Sequence, residues 1–177
     1  RLVLAEVDVR PGLPAFTVVG MGDRAVRESR ERVRAAIQNC GWSFPQQRVT
    51  VNLAPADLRK EGPSFDLAVA CAVLAATGEI LPESLARTAI FGELALDGGL
   101  RACRGAIAAA EGTVTEGIGS IIVPSAQAHD VGAVAGLTVF GARTLGEVVE
   151  VLRGDSAGLT PDVPPGAGVA ELPDLSD

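Results

Sequence analysis

The chain has 177 residues, 47% of them hydrophobic and 21% charged, a globular composition rather than a disordered one. It carries a formal net charge of −7 and no apolar run of the ~18 residues needed to span a bilayer. Three cysteines (Cys40, Cys71, Cys103) without a C-x-x-C pair, a single histidine and no tyrosine exclude a sequence-readable zinc site, a two-histidine mechanism and an aromatic stacking platform. The widely spaced thiols point to a reducing cytosol. No leader pattern is visible and position 1 is Arg rather than Met, so the expectation is a piece of a longer protein.

The charge is unevenly placed. Residues 1–60 hold ten basic and six acidic groups, a balance of +4, whereas residues 61–153 hold five basic and eleven acidic, a balance of −6. Residues 154–177 hold five acids and no base, are rich in Pro, Gly and Asp, and lack an apolar period. They read as a linker or tail that adds nothing to stability, which leaves a folded unit over residues 1–153.

Leu2–Val9 alternates as a strand, Pro11-Gly12 and Pro14 punctuate, and Ala15–Val19 is a second strand, so the pair reads as a hairpin. Gly20 and Gly22 end it. Asp23 suits an N-cap, and Asp23–Cys40 is a helix with Val26, Val33, Ile37 and Cys40 on one face. Arg27, Arg30 and Arg34 run along one flank, and Glu28–Arg32 and Arg27–Glu31 are i,i+4 pairs. Gly41 stops the helix. Arg48–Leu53 is a strand and Ala54–Pro63 a loop. Phe65–Ala76 is apolar nearly all round, so it is expected to be the most buried helix, with Ser64 as its N-cap. Thr88–Leu96 is a strand, Asp97-Gly98-Gly99 a hairpin turn, and Leu100–Cys103 its return. Helix over Gly105–Gly112, strand at Ser120–Val123, weak helix at Ala126–Ala133, strand at Leu137–Phe140 and helix at Leu145–Leu152 behind Thr144 complete the unit. Hairpins mixed with crossovers predict an α/β or α+β fold, with a mixed β-sheet and packed helices.

Few motifs carry chemistry. There is no G-x-x-x-x-G-K-[ST], and Lys60 is the only lysine, so the chain is not by itself a P-loop ATPase. Gly20-x-Gly22 between strand and helix invites a nucleotide reading, but position 25 is Ala, and a tight strand-to-helix turn is preferred. Ser64 at a helix start would have backbone N–H groups near it as an oxyanion hole, with His129 or Lys60 as the available base. A plain helix cap is the preferred reading. Asp57 with Glu61 and Glu93 with Asp97 fit turns and strand ends, and His129 beside Asp130 fits a solvated surface. The Arg27/Arg30/Arg34 stripe, interleaved with Glu28 and Glu31, reads first as a salt-bridged solvent face, then as a phosphate contact or a subunit interface.

Three blocks now add up. GLPAFTVVGMGDRAVRESRERVRAAIQNCG, VTVNLAPADLRKEGPSFDLAVACAVLAATG and FGELALDGGLRACRGAIAAA closely resemble the N-terminal domain of the ComM/YifB family of Mg-chelatase-like AAA+ ATPases. The resemblance covers about residues 1–153, and Thr50–Gly62 is its most specific stretch. It implies a fold like the proteolytic domain of Lon, in the superfamily of a ribosomal protein's second domain. It also implies a AAA+ module beyond the linker that holds ATP and Mg, and a homo-hexameric, cytoplasmic DNA helicase that promotes branch migration in recombination and natural transformation. In Lon-like proteases the nucleophile lies in G-P-S, which Gly62-Pro63-Ser64 matches, but the partner lysine's position falls at or near Ile107. Arg104 cannot serve as its base because guanidinium stays protonated.

The expectation is therefore a non-catalytic accessory domain, with no cofactor or metal of its own. Its partners would be its own AAA+ module, neighbouring subunits and, in the assembly, DNA, with no membrane role. Arg27, Arg30, Arg34, Arg59 and Lys60 are the candidate DNA or subunit contacts. The isolated chain should bind DNA only weakly, at ~10⁻⁴ M or looser. The rival readings are a degenerate serine hydrolase built on Ser64, and a subunit-interaction domain of a metal-chelatase-type motor.

Overall fold

The computed structural model describes residues 2–60 and 62–155. The expected linker at 154–177 lies outside them apart from Gly154 and Asp155.

The first three strands form one sheet, in an order the sequence does not announce. β1 (Leu4–Arg10) and β2 (Ala15–Val19) do not pair with each other; β3 (Arg48–Ala54) lies between them, antiparallel to β1 and parallel to β2. The expected β1–β2 hairpin is therefore corrected. The Pro11–Pro14 segment turns the chain, but β3 is the strand that offers a ladder to both sides. Val49, Val51 and Leu53 of β3, with Phe16 and Val18 of β2, are buried on one face. That alternation is the signature of a sheet packed on one side.

Helix α1 (Asp23–Asn39) connects β2 to β3 and buries Val33, Ala36 and Ile37 against the core. Its N-cap is Gly22, whose carbonyl accepts from the Val26 N–H at 3.0 Å, so Asp23 is the first helical residue rather than the cap. Gly20, before it, has φ +101°, and a Cβ there would lie 2.5 Å from the Leu53 carbonyl oxygen. Only glycine lets β2 leave the sheet this close to β3.

Helix α2 (Asp66–Ala76) runs through the main core, with Leu67 and Val69–Leu74 buried, as its lack of a polar face requires. A single 3-10 turn, Pro63–Phe65, precedes it, so Phe65 stands at its N-cap and no side chain caps it. The expected Ser64 cap is corrected: the proline opens a tighter turn that places Ser64 before the α-helical start.

Beyond α2 come a short helix, α3 (Pro82–Ala86), and β4 (Thr88–Ile90), then β5 (Glu93–Leu94) and β6 (Leu100–Arg101). The single strand expected at 88–96 is thus two. β5 and β6 form the small hairpin that Asp97-Gly98-Gly99 predicts, while β4 joins β7 (Ser120–Pro124) and β8 (Thr138–Ala142) in a parallel sheet. Helix α4 (Ala106–Thr115), α5 (Ser125–Val131) and α6 (Leu145–Arg153) complete the order. Thr144 caps α6 as expected, accepting from the Glu147 N–H at 3.2 Å. On β7, Ile121 and Val123 face a smaller core with Ala106, Ala110 and Val131, while Ile122 joins the main one. Both faces of this strand are covered, as a parallel sheet demands.

The described residues thus give a mixed α/β fold of three small sheets and six helices. None of the helices is long and apolar enough to cross a membrane.

Candidate functional site

A cleft of about 930 Å³ opens where β2 hands over to α1. Gly20-Met21-Gly22 and the first turns of α1 form one wall, with Arg24, Glu28 and Arg32 facing the space. The segment after β3 forms the other, with Leu58, Arg59, Lys60, Gly62 and Pro63, and Glu93 adds a carboxylate. This brings the two most motif-like segments of the sequence, Gly20-x-Gly22 and the stretch leading to Ser64, to the same opening.

Arg32 organises the inner end. Its Nε donates to Asp66 Oδ2 at 2.5 Å and its Nη2 to Oδ1 at 3.2 Å, a two-point pair that ties α1 to the start of α2. The Asp66 side chain is 1% exposed and that of Arg32 21%. Burial pushes the Asp66 carboxyl above its ordinary range, against the opposing pull of the Arg32 hydrogen bonds and charge, the Ser29 hydroxyl and the Leu94 N–H. Arg32 is raised in turn, first by its hydrogen bond to Asp66. Glu28 lies 4.0 Å from Arg32 and 3.0 Å from Arg24. The predicted Glu28–Arg32 pair is present, but it is secondary to the contact with Asp66. Nothing in the sequence reading singled out Arg32 or Asp66. Arg32 figured only as the i,i+4 partner of Glu28, and Asp66 carried no reading of its own.

Lys60 is 3% exposed. Its Nζ donates to the Pro55 carbonyl at 2.6 Å and the Leu58 carbonyl at 3.0 Å, so the ammonium staples its own loop. Of the expected DNA or subunit contacts, Lys60 is thus the one turned inward on its own loop. Arg59 is exposed on the rim of the cleft.

The expected arginine stripe is divided. Arg27 is exposed. Arg30 donates to the Phe16 carbonyl at 2.9 Å, closing part of the free edge of β2. The guanidinium of Arg34 lies 5.0 Å from the centre of the Phe44 ring. Two of the three therefore have structural work, and Arg27 stands outward.

Ser64 is half-buried in the 3-10 turn, and its carbonyl accepts from the Gly92 N–H at 3.2 Å. His129 is exposed on α5. Ile107, at or near the expected lysine position, is half-exposed in the first turn of α4. Among the described residues no three His, Cys, Asp or Glu side chains come together as a metal cage. Burial raises all three thiols, to about 12 for Cys71 and about 11 for Cys103, which suits packing rather than nucleophilic use.

The family described as subunit ChlI of Mg-chelatase matches residues 5–127. The chain is 39% identical over 175 residues to the protein YifB of Escherichia coli, covering 99% of this chain and 34% of YifB. It is 40% identical over 156 residues to the competence protein ComM of Haemophilus influenzae, covering 86% of this chain and 30% of ComM. An uncharacterised protein of Mycobacterium tuberculosis is 42% identical over 156 residues, 88% of this chain and 31% of its own length. The chain spans about a third of the length of the curated relatives it matches.

Proposed function

We propose a function from one premise: the chain belongs to the family of subunit ChlI of Mg-chelatase, in the N-terminal region of YifB and ComM. It acts as an accessory, non-hydrolytic domain of an ATP-driven DNA-remodelling motor, a hexameric helicase of the branch-migration kind. ATP and Mg sit in a AAA+ module elsewhere in the parent protein, and the domain keeps the Lon-like arrangement without the Lon-like chemistry. The observation that carries this reading is the match of residues 5–127 to the family, together with 39–40% identity to proteins about three times as long, one of them named a competence protein.

The geometry supports the non-hydrolytic half of the reading. A serine nucleophile needs a base within hydrogen-bond reach. Lys60 spends its ammonium on two carbonyls of its own loop, and the side chain at 107 is a hydrocarbon. Of the candidate contacts, Arg27 on α1 and Arg59 at the cleft rim are exposed, and in this reading they face a neighbouring subunit or DNA. The family's own description favours a second reading, a subunit-contact domain in a metal-inserting complex.

The test is Ser64→Ala in the full-length parent. Unchanged ATP hydrolysis and DNA unwinding, with no peptidase or esterase activity in either protein, is the expected result. A hydrolase activity that Ser64→Ala abolishes would replace this account. Metal insertion into a porphyrin without any DNA-dependent activity would favour the second reading.

A further inference from the structure

The outer face of the β1–β3–β2 sheet is uncovered, because α1 and α2 both pack on the side of Val49, Val51 and Leu53. One end of that face carries an unbalanced row of arginines. Arg10 of β1 and Arg48 of β3 are directly opposed across the antiparallel pair, and Ala15 of β2 continues the row on the other side of Arg48. Like charges in that register destabilise each other. Arg10 is relieved by Asp8, at 2.7 Å. Arg48 is exposed, and among the described residues its side chain has neither an ion pair nor a hydrogen bond. Beyond Ala15 stands exposed Arg34, stacked on the Phe44 ring, a contact that leaves its in-plane N–H donors unused. Among the described residues, Asp8 is the one carboxylate bonded to these three guanidinium groups. In a chain of net charge −7 this is a local reversal of sign. Between Ala15 and Arg34 lies a groove of about 60 Å³, lined also by Pro14, Phe44 and Pro45. That is far below the about 300–1,000 Å³ of a small-molecule site. A shallow apolar groove between exposed arginines suits an acidic peptide that contains proline.

The chain carries such a peptide. The 22 residues after Asp155 hold four acids (Asp162, Glu171, Asp174 and Asp177), four prolines and no base. Asp162-Val163-Pro164-Pro165 sets an acid beside an apolar, doubly proline stretch. Fully extended, 22 residues reach on the order of 70 Å, several times the ~15 Å radius of gyration of a domain this size. We propose that the acidic segment 156–177 docks on its own domain, with Asp162-Val163-Pro164-Pro165 in the Pro14/Phe44/Pro45 groove and its carboxylates on Arg48 and Arg34. The tether keeps the segment at a high effective concentration, so a contact too weak to hold free peptide tightly still forms. It adds little to stability, because ion pairs at exposed arginines are worth little. Its consequence is to cover the basic row against other anions. The inference does not rest on the motor reading, and its test uses no motor activity.

The experiment compares amide shifts of the ¹⁵N-labelled 177-residue chain with those of a variant whose segment is neutralised, Asp162→Asn/Glu171→Gln/Asp174→Asn/Asp177→Asn. These substitutions leave the folded unit untouched. Differences are expected at Ala15, Phe44, Gln46 and Arg48, and they should vanish at about 1 M salt, where screening acts within ~3 Å. A synthetic peptide of residues 156–177, added to the neutralised chain, should reproduce the parent's shifts. Arg48→Glu is the decisive second variant. It places a carboxylate opposite Arg10, so the cross-strand pair becomes favourable and the melting midpoint is unchanged or raised. Peptide affinity for the neutralised chain should nevertheless fall on the order of tenfold when Arg48→Glu is added. Superimposable spectra of the parent and neutralised chains at low salt would overturn the proposal. So would differences centred on Gly20 and Arg24 instead, or equal peptide affinity with Arg48→Glu. Differences that grow with protein concentration would place the segment on a second copy and overturn the intramolecular contact.

Discussion

Arg32→Met removes the two hydrogen bonds that meet the Asp66 carboxylate and leaves the charge behind in the core. Asp66 begins an otherwise apolar helix, its side chain is 1% exposed, and the hydrogen bond that remains to it among the described residues is from the Leu94 N–H at 3.4 Å. Deleting one partner of such a pair costs about 3–5 kcal/mol. Because the Arg32 side chain is 21% exposed and water reaches it, the lower end, about 3 kcal/mol, is expected. The sign of the pH dependence follows from Asp66. Burial already holds its folded-state pKa above the ordinary value, and losing Arg32 removes the main opposing influence, so it rises further. A group whose pKa is raised by folding contributes stability below its unfolded value and loses it as pH rises through the folded one. The penalty of Arg32→Met is therefore larger at about pH 7.5 than at about pH 5, because acidification drives the carboxyl toward its neutral form. Urea unfolding of both proteins at the two pH values measures it. The double variant Arg32→Met/Asp66→Asn should recover much of the loss at the higher pH, because no buried charge remains. A penalty below ~1 kcal/mol at about pH 7.5, or one that grows toward acid, would refute the reasoning.

Other consequences are simpler to measure. Leu74→Ala, at a side chain 1% exposed in the middle of α2, should cost about 2–5 kcal/mol in chemical denaturation. Gly20→Ala puts a Cβ against the Leu53 carbonyl at positive φ and should lose at least ~1–3 kcal/mol, seen as a lowered melting midpoint. Thr144→Ala removes the α6 cap and should lose about 0.5–2 kcal/mol. Cys71, pushed up to about 12 by complete burial, should resist a thiol reagent in the folded chain and react fully in denaturant; prompt labelling in the native state would contradict its placement.

Where the sequence was informative, a local rule decided the outcome. The apolar run from Leu67 to Leu74 has no face to offer water, so α2 had to be buried. Asp97-Gly98-Gly99 fixed the β5–β6 hairpin, and Thr144 fixed the start of α6. Strand partners were a different matter. β1 and β2 are neighbours in sequence, yet both pair with β3, and alternation along a strand says which face is wet, not which strand lies alongside. The site was legible only in its outline. Gly20 and Gly22 stood out by type and do line the cleft. Arg32 was hidden because Glu28, four residues away, offers a plausible surface partner, while its true partner is 34 positions along the chain. Lys60 looked like a free cation because the carbonyls that hold it belong to backbone, which every sequence has. The arginine stripe divided for the same reason: a free strand edge and a phenyl ring claim Arg30 and Arg34, and neither is visible in helical periodicity.

The central claim is that this domain serves a DNA motor without doing hydrolytic chemistry of its own. The most direct measurement compares the full-length parent protein with a form lacking residues 1–153, following ATP hydrolysis and ATP-driven branch migration of a four-way DNA junction side by side. The account predicts that the shortened form still hydrolyses ATP but no longer drives migration, and that supplying Ser64→Ala in the full-length protein leaves both intact. Branch migration at the undeleted rate without the domain, or no DNA remodelling by the full-length protein at all, would contradict it.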